Sequence, residues 1–156
     1  MSLLEVKDLA VSFVTRMGTN RAVDGISFTV ETGKITAIIG ESGSGKSVAC
    51  YSMLGLVPMP PGRIDGGTAL LEGQDLLQMS EDQLREIRGR DVAMIFQDPM
   101  TCLNPFMTIG KQLMEPLFYH KQVSKEQAKQ RALELLEEVG IRDPETTFEN
   151  YPHQFS

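Results

Sequence analysis

Cysteine is scarce in this sequence, since only Cys50 and Cys102 occur among its 156 residues. Two isolated cysteines do not make a disulfide framework, which fits a protein that stays in a reducing compartment. Neither cysteine belongs to a C-x-x-C pair or stands beside clustered histidines. We therefore expect no metal centre of the cysteine–histidine type.

Basic charge is also scarce, because 15 Lys and Arg residues face 21 Asp and Glu residues and the formal net charge is −6. A protein that binds nucleic acid broadly presents an excess of positive charge on one face. The charge balance therefore argues against nucleic acid as a partner. It still allows a local basic site for a single nucleotide.

Long apolar runs are missing as well, since no stretch approaches the roughly 20 residues that a membrane-spanning helix needs. The first seven residues are too acidic, and their apolar part is too short, for a secretory signal peptide. We expect a cytoplasmic protein whose link to a membrane runs through a partner.

What the sequence does contain is a complete phosphate-binding loop, GESGSGKS at residues 40–47, which fills every fixed position of G-x-x-x-x-G-K-[ST]. Glycines allow the backbone to turn with positive φ and to bring its N–H groups close to an anion. Lys46 adds a positive charge that can reach the β- and γ-phosphates, and the Ser47 hydroxyl is expected to be a ligand for Mg²⁺. The predicted phosphate-binding residues are Gly40, Ser42, Gly43, Ser44, Gly45, Lys46, Ser47 and Val48.

The residues around the loop argue against two alternatives to a phosphate-binding loop. A chance turn is disfavoured because apolar residues 35–39 before the loop are typical of a buried strand and residues 47–56 after it can form a helix. A dinucleotide-binding fingerprint fails because Val48 stands where its last glycine should be.

Further strands are predicted on both sides of the loop. Residues 3–14 and 22–30 carry imperfect apolar alternation and are expected to form strands joined by a turn. Residues 63–67 and 69–73 are predicted to be a strand pair around a glycine-rich turn. Residues 92–96 are predicted to be an apolar strand, and the prolines that follow turn the chain into a loop.

Helices are predicted mainly after this second set of strands. Capping boxes that begin at Ser80 and Ser124 predict helices that Gly89 and Gly140 terminate. The apolar pattern from Met107 onward predicts another helix, which Pro116 is expected to kink or to end. Asp143–Pro144 is predicted to start a further short helix.

At this point the motifs together resemble a known family. They are the loop at 40–47, IFQDPMTCLNP at 95–105 with MTIG at 107–110, and YPHQFS at 151–156. The chain resembles the N-terminal part of an ATP-binding-cassette (ABC) ATPase, and in particular the cytoplasmic ATPase subunits of bacterial oligopeptide, dipeptide and nickel importers. The resemblance covers essentially the whole chain.

The resemblance implies an α/β fold: a phosphate-loop NTPase core of the ABC type with an N-terminal antiparallel β subdomain, over residues 1–106. Residues 107–156 would start the α-helical subdomain. In this family the Ser-Gly-Gly signature, the general-base glutamate and the switch histidine come later, so the chain is expected to be truncated and no catalytic residue is assigned. His153 lies before the signature and is expected to be a surface or packing residue.

Truncation would have two consequences. Residues 35–39 and 92–96 would lack neighbouring strands, so the isolated chain is expected to aggregate or to need a partner. Without the general base, the chain alone is expected to bind nucleotide at best and to hydrolyse it negligibly.

Two further site residues are carried over from the resemblance. Phe13 matches the aromatic residue that stacks on adenine, with ordinary strand core as the alternative. Gln97 matches the glutamine that ligates Mg²⁺ and senses the γ-phosphate, with a loop residue of no special role as the alternative. Cys102 stands where relatives usually have Ser, and a neutral change is expected there.

The implied function is that of the ATP-binding subunit of an importer for peptides or a related small solute, using ATP and Mg²⁺. The implied partners are a second ATPase subunit, identical or different, membrane-spanning permease subunits and, indirectly, an extracytoplasmic solute-binding protein. The protein would be peripheral on the inner face of the cell membrane. The alternatives are a non-transport ATPase of the same superfamily and a nucleotide-binding fragment without catalysis.

Overall fold

The computed structural model describes residues 2–121 and 123–154. The chain forms two compact units, Met1–Arg88 and Gly89–Ser156. The phosphate-binding loop belongs to the first unit, and the segment with Gln97 belongs to the second. The division at residues 106 and 107, which follows the family pattern, stays a prediction.

The first unit is built on an antiparallel sheet of four strands in the order β2-β1-β3-β4. These strands are β1 (Ser2–Thr15), β2 (Gly18–Glu31), β3 (Gly62–Leu71) and β4 (Gln74–Asp75). The first two pair closely, with Thr15 opposite Gly18 and Ser2 opposite Glu31. The predicted N-terminal antiparallel pair is therefore confirmed, and a hairpin turn at residues 16–17 joins it.

The predicted strand pair at residues 63–67 and 69–73 is wrong, because β3 continues without a turn from the first segment into the second and ends at Leu71. Gly67 has a φ of +99°, and a Cβ there would lie 2.6 Å from the Asp8 carbonyl oxygen. The pairing with β1 shifts register at this point, so the glycines make a bulge instead of a turn. The hairpin turn comes later, where Glu72 and Gly73 have positive φ values and join β3 to β4.

Two helices pack against this sheet. They are α1 (Lys46–Met53) and α2 (Glu81–Ile87), and α2 starts with the predicted capping box at Ser80. The helix α1 is shorter than the predicted helix at residues 47–56. The buried core between sheet and helices comprises Val6, Leu9, Val11, Val23, Ala49, Met53, Ala69, Leu76, Leu84 and Ile87.

The strand predicted at residues 35–39 does not form, and the segment is irregular. Ile35 is 100% exposed and Ile39 is 93% exposed. The same holds in the second unit, where residues 93–96 are irregular and Ile95 is 92% exposed. Both strand predictions are wrong for the described residues, because an apolar strand of the parallel type needs hydrogen-bonded neighbours and covered faces.

The second unit consists mainly of three helices, α3 (Ile109–Lys121), α4 (Lys125–Glu138) and α5 (Pro144–Glu149). The predicted capping box at Ser124 and the predicted cap at Asp143 are both present. The core of this unit comprises Ile109, Met114, Ala128, Ala132, Leu136 and Phe148. No helix in the described part of the chain is long and apolar enough to cross a membrane.

The helix α3 continues through Pro116 to Lys121, so of the two predicted effects, a kink or an end of the helix, the end is wrong. Pro116 lies on the exposed side of the helix, where water can bind the carbonyl that proline leaves unpaired. Met114 before Pro116 and Leu117 after it both pack in the core of this unit, which holds the helix together across that position. Tertiary packing therefore overrides a strong local signal.

Candidate phosphate-binding site

The loop at residues 40–47 adopts the backbone that its glycines predict. Gly43 and Gly45 have φ values of +81° and +88°. Gly45 is the N-cap of α1 and offers no side-chain acceptor to the first turn. Backbone N–H groups at the start of a helix lack partners within the helix and bind anions readily. The start of α1 therefore keeps its N–H groups available to a phosphate.

Residue 45 must be glycine for lack of space as well as for its positive φ. A Cβ on this residue would lie 2.1 Å from the carbonyl oxygen of Ala22 in β2. A Cβ on Gly40 would lie 2.6 Å from the Ser44 Oγ, whereas one on Gly43 would meet nothing within 4 Å. The loop therefore rests against β2 at Gly45 and leaves an open side at Gly43.

Lys46 turns back into the loop that precedes it. Its Nζ donates to the carbonyl oxygens of Gly40 at 2.8 Å and Glu41 at 2.6 Å, and to the Ser44 Oγ at 3.3 Å. The ammonium group is thereby held inside the curve of the loop. A positive charge and free helix N–H groups within one short segment fit a bound phosphate group.

The remaining loop residues differ in their surroundings. Ser42 and Ser47 are exposed, and Val48 packs against the core of the first unit. The exposed Ser47 hydroxyl fits a ligand of a magnesium ion that keeps waters and phosphate oxygens as its other ligands. Among residues 2–121 and 123–154, no three His, Cys, Asp or Glu side chains cluster as a cation site.

Phe13 lies in β1 of the same unit, where Asn20 of β2 and Gly62 of β3 are its neighbours. The ring is half-buried, and a Cβ on Gly62 would lie 3.6 Å from its Cε1. A partly exposed ring serves either as a stacking surface or as the edge of the strand core. Its predicted role in adenine binding therefore stays a prediction.

Gln97 lies in the second unit, where it is exposed at a bend. A 3₁₀ turn, Pro99–Cys102, follows, and the Thr101 Oγ1 donates to the Asp98 carbonyl at 2.8 Å. The predicted loop is confirmed. Its glutamine keeps an accessible amide oxygen, and the role of Gln97 as a magnesium ligand stays a prediction.

Sequence reasoning missed a set of hydrogen bonds at the end of that loop, here called the Gln112 brace. Gln112 in α3 accepts from the Asn104 N–H at 2.8 Å and donates to the Asn104 and Met107 carbonyls at 3.0 Å each. A glutamine in the first turn of a helix that follows an Asn-Pro loop was the available signal. The Gln112 brace fixes the loop to the helix after it.

A hydrogen-bonded group that includes the buried Ser12 also lies in the first unit. Ser12, 2% exposed, donates to a carboxylate oxygen of Asp65, and Arg63 Nε donates to the other at 2.6 Å. Two hydrogen bonds lower the pKa of Asp65 below its ordinary value, and the bond from Ser12 has the larger effect and the bond from Arg63 the smaller one. These three residues tie β1 to β3 beside Phe13.

We expect Asp65→Asn to lower the melting temperature of the whole protein at pH 7, and the deficit to shrink as the pH falls. A carboxylate whose pKa is lowered by folding stabilises the folded state above its unfolded pKa of about 4 and loses that contribution as pH drops through the folded value. The measurement is thermal unfolding between pH 7 and pH 3. The control is Asp24→Asn, which breaks an exposed pair with Arg21. Equal deficits at every pH would contradict the assignment.

Comparison with known proteins gives one family. The sequence model of the ABC transporter family matches residues 23–156. The chain is 53% identical over 154 residues to the oligopeptide transport ATP-binding protein OppD of Bacillus subtilis. The matched region covers 99% of this chain and 43% of OppD. It is 48% identical to the dipeptide transport ATP-binding protein DppD of the same organism, over 99% of this chain and 46% of DppD. The chain thus spans less than half the length of these relatives.

Solved structures show the same fold. The chain is similar to the dimeric structure of MJ0796, a bacterial ABC transporter cassette, with a TM-score of 0.81 and 22% identity over 98% of this chain and 63% of that one. It is also similar to the MJ0796 cassette bound to ADP and Pi, with a TM-score of 0.80, 22% identity and the same coverage. These likenesses confirm the predicted fold class.

Proposed function

The chain belongs to the ABC transporter family, and from that premise we propose that it is the nucleotide-binding part of an ATPase subunit that drives peptide import across the cell membrane. The single observation that carries the proposal is the loop folded around Lys46, with its ammonium group between carbonyl oxygens. The names of OppD and DppD, at 53% and 48% identity, support peptides as the cargo.

The ligand that fits the loop is MgATP. The N–H groups of the loop and of the first turn of α1 would hold phosphate oxygens, and Lys46 would neutralise their charge. Ser47 and Gln97 would be the protein's ligands for Mg²⁺, which supplies further charge neutralisation when bound. Phe13 would support the adenine ring. For the chain by itself we propose nucleotide binding without appreciable hydrolysis.

Two kinds of partner follow from this function. A second ATPase subunit is supported by the dimeric MJ0796 cassette, whose fold the chain shares. Permease subunits would bind the second unit at a groove of about 600 Å³ lined by Pro105, Phe106, Tyr151, His153 and Gln154. Phe106 is 89% exposed there, and the His153 ring stacks on Tyr151 at 5.8 Å. Through the permease the protein would lie on the cytoplasmic face of the membrane, and a solute-binding protein would act on it only indirectly.

The direct test is peptide import by the whole protein reconstituted with its permease in proteoliposomes. We expect uptake of a labelled oligopeptide that requires MgATP and stops when ATP is replaced by a non-hydrolysable analogue. Uptake that is independent of nucleotide, or nucleotide turnover with no peptide dependence in any assay, would contradict import as the function.

Gln97→Ala is expected to separate binding from turnover in that assay. Loss of a group that positions charge only during the reaction costs about 10²-fold in turnover, whereas the affinity for MgATP should change by less than about fivefold. Peptide import and ATP hydrolysis are measured together with calorimetric binding. The matched control is Gln130→Ala on the exposed face of α4, where the side-chain amide donates to Glu134. Import that survives in Gln97→Ala would remove this residue from the site.

A further inference from the structure

The helix that starts at the phosphate-binding loop has an unusual partner at its other end. The last turn of α1 contains no basic residue of its own. Its C-cap carbonyl, that of Leu54, accepts two hydrogen bonds from Arg88, from Nε at 2.9 Å and from Nη2 at 2.6 Å. A guanidinium at a helix C-terminus satisfies an unpaired carbonyl and interacts favourably with the helix dipole.

Arg88 is itself held in place. Its Nη1 donates to Glu81 Oε1 at 2.6 Å and its Nη2 to Glu81 Oε2 at 3.3 Å. Glu81 is the first residue of α2, which the capping box at Ser80 anchors. The Arg88 side chain is 24% exposed, so the guanidinium is partly shielded from water, whereas the Glu81 side chain is 60% exposed. Both carboxylate oxygens thus orient the guanidinium toward Leu54.

The backbone after α1 leaves room for this contact. Gly55 has a φ of +63°, and a Cβ there would lie 2.8 Å from Arg88 Nη2 and 2.8 Å from a Leu84 methyl carbon. A side chain at this position would push the guanidinium away from the helix end. Glycine at this position therefore allows both the positive φ of the turn after α1 and the contact between Arg88 and the Leu54 carbonyl.

A helix of eight residues is about 12 Å long and moves as one rigid body over that distance. Gly45 holds its N-terminal end against Ala22 of β2, and Arg88 holds its C-terminal end. A shift of the C-terminal end would tilt α1 and displace Lys46 and the N–H groups of the first turn. Displacements of about 1 Å at a binding site weaken it measurably.

We propose that Arg88 is a positioning residue for the phosphate-binding loop, acting through the carbonyl of Leu54 at the far end of α1. The proposal rests on the proposed function, since it takes nucleotide as the ligand of the loop. Arg88 does not touch the loop, and its whole effect passes through the orientation of the helix.

The test compares MgATP binding by the whole protein and three variants, using calorimetry at a temperature well below each melting point. Arg88→Met should weaken MgATP binding by roughly tenfold, in the range of other indirect couplings. Arg88→Lys keeps the positive charge but loses the paired donors of the guanidinium. Its affinity for MgATP should therefore lie between that of Arg88→Met and that of wild type. The matched control is Arg85→Met on the same helix, where the arginine is exposed and its pair with Asp82 is 3.7 Å long. This variant should bind MgATP like wild type.

The outcomes separate the two proposals. If wild type binds no MgATP, the proposed function fails. If wild type binds and folded Arg88→Met binds within twofold of Arg85→Met, Arg88 has a structural role only and the inference is overturned. If Arg88→Met does not fold, the affinity of Arg88→Lys for MgATP is compared with that of Arg85→Met: a loss of about threefold or more supports positioning, and a smaller loss overturns it.

Discussion

Replacing Lys46 with alanine is expected to weaken binding of MgATP by at least about 100-fold, because each hydrogen bond to a charged group contributes about 1.5–3 kcal/mol and Lys46 would contact two phosphates. Its ammonium group already lies 2.8 Å and 2.6 Å from the Gly40 and Glu41 carbonyls, inside the curve of the loop. A bound triphosphate would therefore find the charge in place without a large rearrangement. Calorimetry on the whole protein measures the affinity.

The control for Lys46→Ala is Lys34→Ala, which removes the same charge from an exposed position before the loop. We expect Lys34→Ala to bind MgATP as wild type does. Thermal unfolding without nucleotide shows whether Lys46→Ala still folds. This check is needed because Lys46 also donates hydrogen bonds within the loop, to the carbonyl oxygens of Gly40 and Glu41. Undiminished binding in a folded Lys46→Ala protein would show that the loop is not the nucleotide site.

The second large effect is expected from Gly45→Ala. At this residue an added Cβ would lie 2.1 Å from the Ala22 carbonyl oxygen, and the φ of +88° is unfavourable for any side chain. Positive φ costs about 1–2 kcal/mol and overpacking a further 1–3 kcal/mol, so the free energy of unfolding should fall by about 2–5 kcal/mol. Binding of MgATP should fall with it, because the start of α1 must move.

Gly43→Ala is the matched control for that prediction. Gly43 has a similar φ of +81°, but a Cβ there meets nothing within 4 Å. Its free energy of unfolding should therefore fall by only about 1–2 kcal/mol, which is the cost of the backbone alone. Urea unfolding of both variants measures the difference, and equal losses would mean that the contact with Ala22 does not hold the loop.

Features set by neighbouring residues were the most predictable from sequence. The capping boxes at Ser80 and Ser124 formed as predicted, because each needs only a serine, a glutamine three residues later and a helix to follow. The hydrogen bonds of Lys46 are local in the same sense, since they reach no farther than six residues along the chain. The strands β1 and β2 pair directly across a short turn, so even their imperfect apolar alternation was enough to predict them.

Features that depend on distant partners were less predictable. Residues 35–39 have the composition of a buried strand, but the described residues supply no strand beside them. The glycines at 66 and 67 favour a turn locally, yet pairing with β1 makes them a bulge in a continuous strand. Pro116 should end a helix by its chemistry, and the core contacts on either side of it keep α3 continuous.

The sequence by itself determined the glycine-rich loop at residues 40–47 and the helix caps, because each is encoded by residues close together in the chain. It also identified the family, from motifs spread along the chain. Only the tertiary structure decided what holds the helix behind the loop in place. The contact of Gly45 with Ala22 and the hydrogen bonds from Arg88 to Leu54 join residues that lie far apart along the chain. No local pattern specifies such contacts, since they exist only after β2, α1 and α2 have packed into one unit.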